Sequence, residues 1–151
     1  MERWEATLSM AFQQVKQANS EDLDIRIQRM GMAIENFLKA VLMKAGKYVD
    51  VSRGGDRHHI CLELFRRIKN EGCLDNNVIG EMDKILINNR LIYMDQSLLN
   101  VETTAGFYPN IRYPIETDGV WISIVENLSP EILQEKYELL IKFSELIRQN
   151  L

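Results

Sequence analysis

The sequence is short of the features that specialised chain classes require. Only two cysteines, Cys61 and Cys73, occur in 151 residues. They cannot build a disulfide framework, and they form no CxxC pair of the kind that holds zinc. Three prolines and eight glycines leave long stretches free of helix breakers, which excludes collagen-like and low-complexity classes. No apolar run approaches the roughly 18–20 residues of a membrane span. The segment from Met1 to Met10 carries Glu2 and Glu5 and so lacks the apolar core of a signal peptide. Histidine is confined to one adjacent pair, His58 and His59. These absences point to one domain over residues 1–151, without a membrane segment, in a reducing cytoplasm.

What is present suits a folded core. The chain is 46% hydrophobic and 26% charged, and a domain of this size buries roughly 70% of the surface its unfolded chain exposes. The net charge of -4 argues against a generally basic, nucleic-acid-coating surface. The charge is uneven, however. Residues 44–69 hold seven basic side chains (Lys44, Lys47, Arg53, Arg57, Arg66, Arg67, Lys69) against three acidic ones (Asp50, Asp56, Glu63), a local +4 that leaves -8 for the rest. Either this is a solvated helix face with a loop attached, or it is a patch that faces an anion.

Periodicity predicts helices. Trp4, Leu8, Ala11, Phe12 and Val15 share one stripe of a first helix. Asn19 and Ser20 offer a cap for a second, with Glu21 and Asp22 in a first turn where carboxylates meet the positive end of the dipole. In that second helix, about 22–45, Met30, Ala33, Ile34, Phe37, Leu38, Val41, Leu42 and Ala45 recur at three- and four-residue steps, and Gly46 is its stop. A polar connection with Gly54 and Gly55 leads to a third helix, about 57–70, carrying Ile60, Cys61, Leu64, Phe65 and Ile68. A fourth, about 76–99, directs Ile79, Met82, Ile85, Leu86, Ile92 and Tyr93 inward. From 100 to 128 the pattern breaks at Gly106, Pro109, Pro114 and the Asp118-Gly119 pair, and Val120 to Val125 reads as extended. A long structured loop is expected here, with a short hairpin across Asp118-Gly119; loops of this length are often functional. Ser129 caps the last helix, Pro130 fits its first position, and Leu133, Tyr137, Leu140, Ser144, Ile147 and Leu151 continue the stripe. The expected fold is an all-α, up-and-down antiparallel bundle of four to five helices with one long, partly extended loop before the last.

The segment Ala33-Ile34-Glu35-Asn36-Phe37-Leu38-Lys39-Ala40-Val41-Leu42 resembles the second-helix signature of the HEPN family, nucleotide- and RNA-associated helical proteins. There a glutamate precedes a leucine-lysine-alanine step and a further leucine. A histidine opening the next helix (His58 or His59), the tripeptide Arg112-Tyr113-Pro114 and a closing helix follow in the family's order. The resemblance implies a helical domain that commonly dimerises and is often paired with a small nucleotidyltransferase or an antitoxin protein. Ribonuclease members resemble one another in an arginine followed, four to six residues on, by a histidine, an acid–base and phosphate-stabilising pair that needs no metal. Here Arg90-Leu91-Ile92-Tyr93-Met94-Asp95 keeps the arginine and has aspartate at the histidine position. The resemblance therefore implies a module that has lost the chemistry and binds a partner protein, nucleotide or RNA. The alternative is a ribonuclease toxin acting through Arg53 or Arg90 with His58 or His59, since Arg53 to His58 also has the literal spacing.

Each candidate also has a plain structural role. Adjacent helical histidines point about 100° apart, so one of His58 and His59 caps or packs. Gly54-Gly55-Asp56 ahead of a helix start, with Arg57, could meet an anion, although the Lys-Ser/Thr pair of a P-loop is missing. Asp56, His58, His59 and Cys61 match no recognised zinc spacing, and no metal or cofactor is expected. Arg112 and Tyr113 suit a phosphate and a base, or Arg112 pairs with Glu35 and pins the loop. Glu35 and Lys39 stand four apart as a helix ion pair. The Trp121 to Val125 run either covers the bundle or meets another copy.

Overall fold

The second helix begins where Asp22 can act as its cap. The Asp22 carboxylate accepts the backbone N–H groups of Asp24 at 3.0 Å and Ile25 at 3.3 Å, two donors that a helix start otherwise leaves open. The computed structural model of the chain describes residues 1–47, 49, 61–93, 96–101 and 114–151. In it α1 spans Arg3–Gln17 and α2 spans Leu23–Lys44. Gly46 closes α2 at φ 74°, the left-handed conformation glycine takes without a Cβ penalty. Ser20, expected to cap, instead supports the cap: its hydroxyl accepts the N–H of Asp22 at 3.1 Å.

Two short helices follow, α3 at Cys61–Asn70 and α4 at Asn76–Asp83. The start expected for α3 at residue 57 lies outside the described residues. The expected 76–99 helix is shorter than its pattern suggested. α4 passes into one π-helical stretch, Lys84–Asn88, and the chain turns at Arg90, whose φ is 57°. The N–H of Ile92 reaches back to the carbonyl of Leu86 at 3.1 Å, which folds Leu91 and Ile92 into the core instead of continuing along a helix. Ile92 is buried as expected; the route is a turn.

In the connection to the last helix, β1 (Ile115–Thr117) and β2 (Val120–Ile122) form the antiparallel hairpin expected across Asp118-Gly119, pairing Ile115 with Ile122, Glu116 with Trp121 and Thr117 with Val120. Asp118 at φ 51° and Gly119 at φ 77° give both central residues the positive φ that a tight two-residue hairpin loop demands. The connection is tied down at its ends: Ser129 N–H donates to the Leu98 carbonyl at 2.7 Å and Asn100 N–H to that of Asn127 at 2.6 Å. Helix α5, Pro130–Asn150, starts as expected, with the Ser129 hydroxyl accepting Ile132 N–H at 3.3 Å.

The result is a helical bundle with a long, partly extended connection before its last helix. Its directions refine the up-and-down expectation. Gln14 with Asn36 and Thr7 with Met43 place α1 antiparallel to α2. Arg26 with Gln134, Phe37 with Phe143 and Lys44 with Leu151 place α2 and α5 side by side in the same direction. Phe37 is fully buried at the centre, edge-on to Phe12 at 5.0 Å and to Phe143 at 5.6 Å, an arrangement worth about 0.5–1.5 kcal/mol per ring pair beyond the area buried. Met30, Ala33, Ile34, Leu38, Val41 and Leu42, the stripe read from the sequence, are all buried with it, whereas Ala45, at the helix end, is exposed.

Candidate functional site

On α2, Lys39 Nζ lies 2.5 Å from Glu35 Oε1, as the four-residue spacing predicts. Its surroundings differ from a surface pair. The Lys39 side chain is 7% exposed and that of Glu35 25%, because this stretch of α2 is apolar on nearly every side: Leu38, Ala40, Val41 and Leu42 are all buried around it. A buried ammonium without a partner would cost several kcal/mol, and Glu35 is the partner that offsets this cost for Lys39. Cys61, the first residue of α3, is near enough to sense both charges. Burial pushes its thiol up to about 12 and Glu35 adds to the rise, with Lys39 and a backbone hydrogen bond offsetting part of it. The thiol stays protonated and is no nucleophile.

Arg90, the one candidate arginine of the ribonuclease reading that falls among the described residues, lies beyond the end of the helix. Its guanidinium stacks over the Tyr93 ring at 4.7 Å. From α5, Lys136 Nζ donates to the carbonyls of Asn89 at 2.9 Å and Arg90 at 3.0 Å. The helix carbonyls left open at this turn thus meet a buried cation, the favourable sign for a helix C-terminus. Arg90 thus sits at a turn past the last helical residue, and Asp95 lies outside the described residues.

The basic stretch of residues 44–69 is locally balanced where it is described. On α3, Arg66 meets Glu63 at 3.0 Å, Arg67 meets Glu71 at 3.4 Å and Lys69 meets Asp83 at 3.1 Å. Lys44 sits over the Trp4 ring at 4.6 Å and donates to the Leu151 carbonyl. Arg53, Arg57, His58, His59, Arg112 and Tyr113 lie outside the described residues, as does the suggested Arg112–Glu35 pair. Among the described residues no three His, Cys, Asp or Glu side chains gather as a metal site, and no helix is long and apolar enough to cross a membrane.

Comparison with protein-family models, with curated proteins and with solved structures finds no match.

Three buried polar groups were not singled out from the sequence. Besides Lys136, Arg26 is 9% exposed, donating to Gln134 Oε1 at 2.6 Å and facing the Tyr137 ring at 4.6 Å. Gln14 is 4% exposed and accepts from Asn36 Nδ2 at 2.9 Å. A signal existed for the two cations: Arg26 stands four residues before Met30 and Lys136 four before Leu140, both on the apolar stripes of their helices.

Proposed function

We propose that the chain is an HEPN-like helical module, non-catalytic, that binds a partner protein, a nucleotide or RNA, within a toxin–antitoxin or nucleotidyltransferase system. The observation that carries this reading is the Glu35–Lys39 pair. The two residues that define the signature-like segment are held partly or fully inside at 2.5 Å, so the resemblance falls on residues that shape the domain's interior. The ordered His58/His59, Arg112-Tyr113-Pro114 and closing-helix elements support the same assignment, and a second copy of the chain is the expected first partner. Loss of catalysis fits Asp95 at the histidine position and the position of Arg90 beyond its helix.

Binding is measured by fluorescence anisotropy with labelled RNA and nucleotides, alongside a candidate nucleotidyltransferase. The expected outcome is saturable binding that an Arg57→Ala, Arg112→Ala variant weakens about tenfold, with a salt dependence shallower by about one unit for each phosphate-binding cation removed. Absence of saturation with all of them at millimolar concentration contradicts the reading. The alternative, a metal-independent ribonuclease using Arg53 or Arg90 with His58 or His59, is favoured by one observation only, the Arg53 to His58 spacing.

A further inference from the structure

The face shared by α2 and α5 holds a cation whose donors are only partly met. Arg26, early in α2, is 9% exposed. Its guanidinium stacks on the Tyr137 ring at 4.6 Å, a placement that leaves the in-plane N–H groups to find acceptors. Nη2 finds one, Gln134 Oε1 at 2.6 Å. The buried Nε–H has no acceptor among the described residues, and an unmet buried donor keeps its full desolvation cost. Arg29, one turn further along the same side of α2, has the Met32 sulfur at 3.8 Å for its Nη1. Neither arginine has a carboxylate partner among the described residues, although a buried arginine is normally paired. The acids nearest in the chain are engaged elsewhere: Asp22 caps α2, Asp24 accepts from Gln28 at 2.8 Å, and Glu138 accepts from Gln134 Nε2 at 3.4 Å. Exposed apolar side chains flank the pair, Ile25 and Met32 on the Arg29 side of α2 and Ile141 one turn past Tyr137 on α5.

We propose that this face binds a small organic acid, its carboxylate on Arg26 and Arg29 and its apolar body over Ile25, Met32 and Ile141. The Nε–H and Nη2–H groups of a guanidinium form a parallel fork that fits the two oxygens of a carboxylate. In Arg26 one tine holds the neutral amide oxygen of Gln134 and the other holds nothing. The Gln134 side chain is exposed and can turn outward. A carboxylate in its place meets both tines through charge-assisted bonds, with Arg29 as the second cation. A single charge suits the site better than a phosphate chain, because Asp22, Asp24, Glu131, Glu135 and Glu138 stand in or beside the first turns of the same two helices and repel a polyanion. The site shares no residue with the Glu35–Lys39 pair or the basic segment 44–69, so it goes beyond the module reading and does not depend on it.

The test titrates the full chain with octanoate and follows the arginine Nε–H signals by NMR. The expected result is a saturable shift of the Arg26 Nε–H signal at millimolar octanoate. Affinity falls at least about tenfold for octanol, which keeps the apolar body and lacks the charge, and for inorganic phosphate, which lacks the body. Gln134→Glu places a carboxylate on the fork from within the chain: it is expected to raise the thermal unfolding midpoint and to weaken octanoate binding at least about tenfold. Arg29→Gln, a change at a partly exposed side chain, weakens binding by a similar factor and keeps the test open if Gln134→Glu does not fold. Equal binding of octanol, tighter binding of phosphate, undiminished octanoate binding by both variants, or no saturable shift of Arg26 overturns the assignment.

Discussion

At the scale of single residues, the decisive groups are the charged side chains the fold takes inside. Lys39 has its partner in Glu35, 2.5 Å away, and the two substitutions that break the pair are not equivalent. Glu35→Ala strands an ammonium that is almost fully buried and is expected to destabilise the fold by about 2–4 kcal/mol in urea unfolding. Lys39→Met leaves a carboxylate that still reaches water and costs about 1 kcal/mol, and the double variant recovers most of the Glu35→Ala loss. A cost for Lys39→Met equal to that of Glu35→Ala would contradict the ordering. Beside them, the Cys61 thiol is raised from 9.0 to about 12. Its folded value lies above its unfolded one, so its contribution to stability is complete below about pH 9 and is lost as the pH climbs toward 12. At pH 8 alkylation of Cys61 in the folded chain is expected to be slower than in the unfolded chain by about a hundredfold or more; mass spectrometry after timed labelling reads this directly, and equal rates would refute a protonated interior thiol.

At the scale of elements, the last turn of the α4 region shows why boundaries are harder to read than stripes. The apolar residues Ile79, Met82, Ile85, Leu86, Ile92 and Tyr93 look continuous, but Leu91 and Ile92 reach the core through a turn at Arg90. The group that stabilises the turn is on another element: Lys136, far along the chain on α5, donates to both the Asn89 and Arg90 carbonyls. No local window contains that information. Lys136→Met is expected to lower stability by about 2–4 kcal/mol, since it leaves two helix-end carbonyls without this donor, and to raise amide exchange selectively from residue 84 to 93. Uniform exchange across the chain would show that Lys136 has no such local role. Where the signal is local, the element is legible: Ser129-Pro130 starts α5, Gly46 stops α2, and Asp118-Gly119 makes the hairpin, because cap and turn chemistry are properties of a few neighbouring residues.

At the scale of the molecule, the helical bundle and its core were legible because a three- to four-residue apolar period leaves few alternatives, and Phe37 sits at the centre of both pattern and structure. The parallel course of α2 and α5 was not legible, since periodicity fixes which face is buried and says nothing of which helix it meets. The candidate site was legible in part. Glu35 and Lys39 form the expected pair, but their burial depends on the apolar residues packed around α2, and the cations of α3 that gave the segment its basic character have acids beside them at Glu63, Glu71 and Asp83. The proposed function is binding without cutting. The most direct measurement is cleavage of labelled RNA by the purified chain without added metal, run beside a His58→Ala, His59→Ala variant. Intact RNA with both proteins is the predicted result. Cleavage by the wild-type chain that the variant loses would contradict the claim and establish a histidine-dependent ribonuclease despite Asp95.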